Sequence, residues 1–138
     1  MEDSPESVAC LIDGFADPST CQRNKDRLIR MRLVGLPQLR NALSSSQDET
    51  IRETCAEVIG AIGELTDIPL LIESLRDLSP HVRFDALLSI HSLAGLPIAH
   101  LNDVLEIEPY STPPATLYRR VAQWWRAQGS LASYRPPF

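Results

Sequence analysis

Long apolar runs are missing from this 138-residue chain, where none approaches the roughly 18 residues that a membrane-spanning helix needs. Its start, Met1-Glu2-Asp3-Ser4-Pro5-Glu6, is acidic and polar, whereas an export signal needs a basic segment followed by an apolar one. A soluble protein that stays in the cytoplasm is therefore expected, with no membrane partner. Cysteine is scarce: Cys10, Cys21 and Cys55 form an odd set without CxxC spacing. Neither a disulfide framework nor a zinc site is supported, and reduced, partly buried thiols fit best. Glycine is also sparse, at six residues, and none belongs to a phosphate-cradling loop or to a Gly-x-Ser-x-Gly nucleophile elbow.

Proline and leucine are what the chain does have. Hydrophobic residues make up 43% of it, as in an ordinary globular protein, and the length suits one domain. Eleven prolines are spread through a helix-friendly background, where they punctuate short helices.

The net charge of −5 conceals blocks. Residues 1–17 carry acids and no base, and residues 23–40 carry Arg23, Lys25, Arg27, Arg30, Arg32 and Arg40 against Asp26 alone. The stretch 41–118 is predominantly acidic, and from 119 onward there are arginines and no acid. Such runs are either solvated helix faces or surfaces for docking and head-to-tail self-association.

Self-similarity organises the rest. Gly35-Leu36-Pro37 recurs as Gly95-Leu96-Pro97, and the same offset lays Leu11, Ile12, Phe15 and Asp17 on Leu71, Ile72, Leu75 and Asp77. A copy lies between them, because Pro37, Leu39 and Leu43 match Pro69, Leu71 and Leu75, while Ile51-Arg52, Ile59 and Ile62 match Val82-Arg83, Ile90 and Leu93. The repeating unit is about thirty residues.

Apolar residues within each unit have helical spacing. Val8, Leu11, Ile12 and Phe15 make one stripe, as do Ile68, Leu71, Ile72 and Leu75. Second helices follow, with Ile51, Cys55, Val58, Ile59 and Ile62 on one arc and Val82, Ala86, Ile90 and Leu93 on another. Ser46 with Glu49 predicts a capping box, and Ser79-Pro80, Ser4-Pro5 and Thr112-Pro113 predict an N-cap followed by an N1 proline. Four pairs of helices are expected, over 4–35, 36–66, 67–96 and 97–129, with a tail at 130–138. The outer two are atypical: Gln22, Asp26 and Arg30 stand where the first unit's second helix should be buried, and Ile107-Glu108-Pro109-Tyr110-Ser111 adds a loop to the last. Terminal units of a stacked array meet water on one side, which suits such departures.

The stretch from Asp67 to Asp77, ending Leu75-Arg76-Asp77 and followed by Ser79-Pro80-His81-Val82-Arg83, resembles a HEAT-like repeat of the type named after phycobilisome lyases. That pattern has a first helix closing in Leu-x-Asp and a second opening in Val-Arg. The resemblance is close over 36–96 and weaker at the ends. It implies an all-α fold, an α-α superhelix or solenoid of about four HEAT-like hairpins. It further implies that Asp77 and Arg83, and more loosely Asp48 and Arg52, are scaffold that bonds between adjacent turns. Functions hosted by such repeats vary, so activity is argued from the residues themselves.

Little catalytic chemistry is visible. His81, His91 and His100 have no metal-ligand spacing, and the His-Glu pairs through which some HEAT-like enzymes hold iron are absent. Ser44-Ser45-Ser46 is assigned to a turn, and Glu53 and Glu57, one helical turn apart, read as a solvated acidic stripe without an accompanying base or ligand. Neither a metal nor a cofactor is expected. The arginines of 23–32 spread around their helix instead of forming a ridge, and the acidic middle would repel a phosphate backbone, which argues against nucleic acid.

Comparison between repeats is more telling, because Glu53 and Glu57 of one second helix correspond to Phe84 and Leu88 of the next, on the side away from the apolar arc. Acidic and apolar patches side by side suit a partner helix that offers a basic residue beside a hydrophobic anchor. Phe84 and Leu88 could equally pack beneath the last unit. Trp124 and Trp125 pose a similar choice, since with Leu117 and Val121 they either close the core or form an interface.

The expected function is thus a non-catalytic protein-protein interaction scaffold whose partner-binding residues are Glu53, Glu57, Phe84, Leu88 and His91. Its partner is another protein, with self-association open. The alternative, implied by the resemblance alone, is an accessory of a bilin lyase or another chromophore-handling system for phycobiliproteins.

Overall fold

Short polar residues placed just before a proline or a first helical turn set where the helices of this chain begin. The computed structural model describes residues 5–97 and 115–128, which comprise α1 (Pro5–Asp13), α2 (Pro18–Met31), α3 (Leu36–Ser45), α4 (Glu49–Ile62), α5 (Ile68–Glu73), α6 (Pro80–Ala94) and α7 (Ala115–Ala127). Single 3-10 turns follow α1, α2, α4 and α5, and no strand occurs among the described residues, so the fold is all-α there. The predicted loop 107–111, the Ser4 and Thr112-Pro113 starts, His100 and the tail 130–138 lie outside the described residues. Of the unit 97–129, α7 is the described helix.

Ser79 caps α6 as expected: its hydroxyl accepts from the Val82 amide at 3.3 Å, and Pro80 fills the first helical position, where no amide hydrogen is needed. Asp17 and Pro18 do the same for α2, the Asp17 carboxylate accepting from the Ser19 amide at 2.9 Å. The expected capping box at Ser46 and Glu49 is not formed. Asp48 caps α4 instead, because its extended backbone brings one carboxylate oxygen to the amides of Thr50 at 2.8 Å and Ile51 at 3.1 Å. Ser46 ends α3, and its hydroxyl accepts from the Asp48 amide. Ser44 and Ser45, expected in that turn, belong to the last turn of α3, where their hydroxyls donate to the carbonyls of Arg40 and Asn41.

The apolar stripes face inward. Val8, Ile12 and Phe15 are buried with Leu28 of α2 and with Leu36, Leu39 and Leu43 of α3. Ile68, Leu71, Ile72 and Leu75 have no exposed surface. One continuous apolar cluster runs from Val8 to Trp125. The second helix of the first unit buries Leu28 and Asn24, whose side-chain amide donates to the Leu11 carbonyl at 3.0 Å, while Gln22, Asp26 and Arg30 are exposed.

Helix α4 is the hub, packed against α2, α3 and α6, while α6 also rests on α5. The seam between α4 and α6 is tight at Gly60, where a Cβ would collide with the Ser89 side chain and approach the Ser89 Cα to 3.0 Å. Glycine is required there by this approach. Ser89 itself is buried and donates to the Ala56 carbonyl at 2.7 Å.

Polar bonds link successive helix pairs. Arg40 of α3 forks onto Asp67 at 2.6 and 3.2 Å, and Asp67 is 2% exposed, so its charge is compensated where water cannot reach it. Arg52 of α4 forks onto Asp77 at 2.8 and 3.1 Å, and Ser79 donates to Glu49 at 2.6 Å. Arg83, 3% exposed, donates to the carbonyls of Asp77 at 2.8 Å and Leu78 at 3.2 Å, which holds the turn ahead of α6.

Helix α7 lies on α5 and the turn Ser74–Arg76. Leu117, Val121 and Trp125 are buried there, and the Tyr118 hydroxyl donates to Glu73 at 2.8 Å under the Arg76 guanidinium. The two tryptophans divide: Trp125 is core at 3% exposed, while Trp124 is half-buried with its ring 6.0 Å away.

Candidate docking surface between the fourth and sixth helices

Two small residues open a groove between α4 and α6. Gly60 and Ala61 line one wall and Ser89 and Ser92 the other, with Glu57, Asp85 and Leu88 completing a space of about 250 Å³. Glu57 and Leu88, expected as contacts from the sequence, are therefore brought together. Leu88 is 39% exposed and Phe84, one turn before it, 40% exposed. Residues 98–114 of the last unit, beneath which the sequence alternatively places this pair, lie outside the described residues.

Glu57 is exposed and accepts from the Lys25 ammonium of α2 at 3.1 and 3.2 Å. That bond ties the rim of the groove to the first helix pair, although exposure keeps its energetic worth small. Glu53, one turn earlier on α4, is half-buried. Its charge acts on Asp85: partial burial, together with the carboxylates of Glu53 and Glu57, pushes the Asp85 carboxyl up to about 7 against the opposing pull of Lys25 and His81.

Like Glu53 and Phe84, His91 is outside the groove lining. Its Nδ1 lies 2.6 Å from the Leu96 carbonyl, and Gly95 between them adopts the left-handed conformation at φ 78° that ends α6. The ring is half-buried and outside the groove lining, so it shapes the end of α6. His81 is exposed on the first turn of α6. Among the described residues no group of three His, Cys, Asp or Glu side chains could hold a metal ion. None of the described helices is long and apolar enough to cross a membrane.

Asp85 was the residue that repeat comparison passed over. Aligning the second helices sets Glu53 against Phe84, and the acid of α6 is the very next residue. Its signal is an acid at helical spacing from His81 on the helix that also carries Phe84 and Leu88. Lys25 was visible only as one base in a cluster, and its partner on α4 required the packing of α2 on α4 to be known.

The arrangement provides fixed negative charge and one carboxyl that titrates near neutrality, beside apolar surface open to solvent. Such a surface attracts cationic, partly apolar ligands. No family model, curated protein or solved structure matches the chain.

Proposed function

We propose that the protein is a non-catalytic binding module of the cytoplasm, a short superhelical stack of HEAT-like hairpins that docks a partner protein on its α4–α6 face. The observation that carries this reading is the pair of exposed apolar side chains, Phe84 and Leu88, beside a groove that ends in the carboxylates of Glu57 and Asp85. The succession of packed second helices, α2 on α4 and α4 on α6, supports the stacked arrangement, as does the Arg52 to Asp77 bond between neighbouring pairs. Phe84 and Leu88 supply affinity by leaving water, and the acids set orientation and speed of encounter. Because the face is held by two packed helices, little ordering cost opposes binding.

The test compares the chain with its Phe84→Ser/Leu88→Ser variant as baits in native lysate, alongside thermal unfolding of both. A protein retained by the first and lost by the second, at nearly equal unfolding midpoints, is the expected result. Loss of binding together with a collapse in stability would make these residues core and sink the proposal. Free bilin added to the protein should produce no new visible absorption band; a band would move the reading to the chromophore-handling role.

A further inference from the structure

Three arginines of α2 share one side of their helix. Asn24 and Leu28 are buried, Cys21 and Lys25 reach α4 at Thr54 and Glu57, and Arg23, Arg27 and Arg30 are exposed on the opposite side at i, i+4 and i+7. The sequence suggests basic residues spread around this helix. In the structure that spread is owed to Lys25, which turns to α4, and to Arg32, which lies beyond the last helical turn. The remaining three form a ridge about 10 Å long, at the helical rise of about 1.5 Å per residue.

Elsewhere the chain pairs its cations, Lys25 with Glu57, Arg40 with Asp67, Arg52 with Asp77 and Arg76 with Glu73. Arg23, Arg27 and Arg30 make no hydrogen bond or ion pair among the described residues, although acids outnumber bases in the chain by 18 to 13. Asp26, the acid of α2, stands one turn from both Arg23 and Arg30, yet its carboxylate accepts from the Gln22 side chain at 2.9 Å. Like charges at this spacing repel, so the ridge lowers the stability of its own helix. An anion from outside would relieve that repulsion.

We infer that the Arg23, Arg27 and Arg30 ridge of α2 binds an acidic helix of a partner protein, one whose carboxylates recur at three- and four-residue spacing. Such a helix presents an acid to each guanidinium. The fork that a guanidinium makes on a carboxylate is already present in this chain, where Arg52 donates to Asp77 at 2.8 and 3.1 Å. A nucleic-acid backbone is less suited, because its phosphates continue past the ridge, and Asp13 and Asp17 are exposed where α2 begins. None of the large apolar side chains exposed among the described residues lies on α2, so affinity rests on charge and falls with salt. The ridge shares no residue with the α4–α6 groove, and the inference does not depend on that face.

The probe is a fluorescent, alanine-based helical peptide of about 18 residues with glutamates repeating at four- and three-residue spacing, titrated with the full chain and read by anisotropy. Saturable binding at about 50 mM salt is expected, at least ~10-fold weaker at roughly 500 mM, and absent when glutamines replace the glutamates. The Arg27→Gln/Arg30→Gln variant should bind at least ~10-fold more weakly. Its unfolding midpoint should not fall, because glutamine matches arginine in helix propensity and the like-charge repulsion is reduced. The Arg119→Gln/Arg120→Gln variant, which loses the same charge from exposed positions of α7, should bind as the wild type does. No binding by the wild type, equal weakening by both variants, or tighter binding of a duplex DNA of about 20 base pairs than of the peptide overturns the inference. Capture through Phe84 and Leu88 is read separately, so either surface can fail without the other.

Discussion

Arg52 in α4 and Asp77 ahead of α6 are joined by a two-pronged bond, Nε donating to Oδ2 at 2.8 Å and Nη2 to Oδ1 at 3.1 Å, while Nη1 of the same guanidinium donates to the Ser46 carbonyl at 2.9 Å. One side chain thus fixes its own preceding turn and the turn of the next helix pair. Both partners are mostly shielded, at 19% and 14% side-chain exposure. Arg52→Ala leaves Asp77 charged and poorly solvated, and should cost about 2 kcal/mol, seen as a fall in unfolding midpoint of roughly 6–10 °C. Arg52→Lys should recover only part of this, since an ammonium cannot reproduce the fork.

Gly60→Ala tests the seam between α4 and α6. Helix propensity alone would raise stability by about 1 kcal/mol. The added methyl group meets Ser89, whose hydroxyl is committed to the Ala56 carbonyl, and overpacking of this kind costs ~1–3 kcal/mol. The two helices cannot separate without opening the core beneath them, so a net loss in denaturant midpoint is expected. An increase would show that the seam yields.

Asp85→Asn should alter how stability depends on pH. The folded-state pKa of Asp85, at about 7, lies above its ordinary value of 3.8, so the folded protein binds this proton more tightly than the unfolded chain does. Stability from this group is full below pH 3.8 and is lost as pH rises toward 7, after which the effect is constant. Solvent screening of a partly exposed group reduces the loss to about 1–2 kcal/mol. Denaturant midpoints measured from pH 4 to 8 should fall for the wild type and stay flatter for the variant.

Thiol reactivity should follow burial. Cys10 is exposed, Cys21 half-buried and Cys55 buried, with burial pushing the Cys55 thiol up to about 12. Labelling of the native protein near pH 8 should therefore modify Cys10 first and leave Cys55 untouched until denaturant is added. Early labelling of Cys55 would mean that α4 opens at the core.

How far these features could be read from residues depended on whether they were periodic. The stripes that begin in α1 and α5, the Ser79-Pro80 start and the course of α6 follow from spacing and from the missing amide of proline, and they stand where the sequence puts them. The start of α4 was misplaced because Ser46, Asp48 and Glu49 all bear oxygens capable of capping, and backbone angles decide among them. Glu57 and Leu88 were recoverable by laying one repeat on another, since equivalent positions share a face. Asp85 was not, because its importance arises from its burial and from carboxylates on another helix, and the partnership of Lys25 with Glu57 likewise depends on how helices pack. Nor did spacing separate Trp124 from Trp125, whose different burial depends on which side of α7 packs on α5 and the turn after it.

The Ser79 hydroxyl accepts from the Val82 amide and donates to Glu49, so the residue that starts α6 is itself held by the first residue of α4. A repeat of about thirty residues invites treatment as a cassette to be deleted, duplicated or exchanged at the boundary between 66 and 67. Here such a splice would separate Ser79 from Glu49 and Asp77 from Arg52, so the transplanted segment would arrive without the contacts that define its own beginning. Workable exchanges must carry 49–52 along with 67–96, which makes the segment that can be moved intact longer than the sequence period.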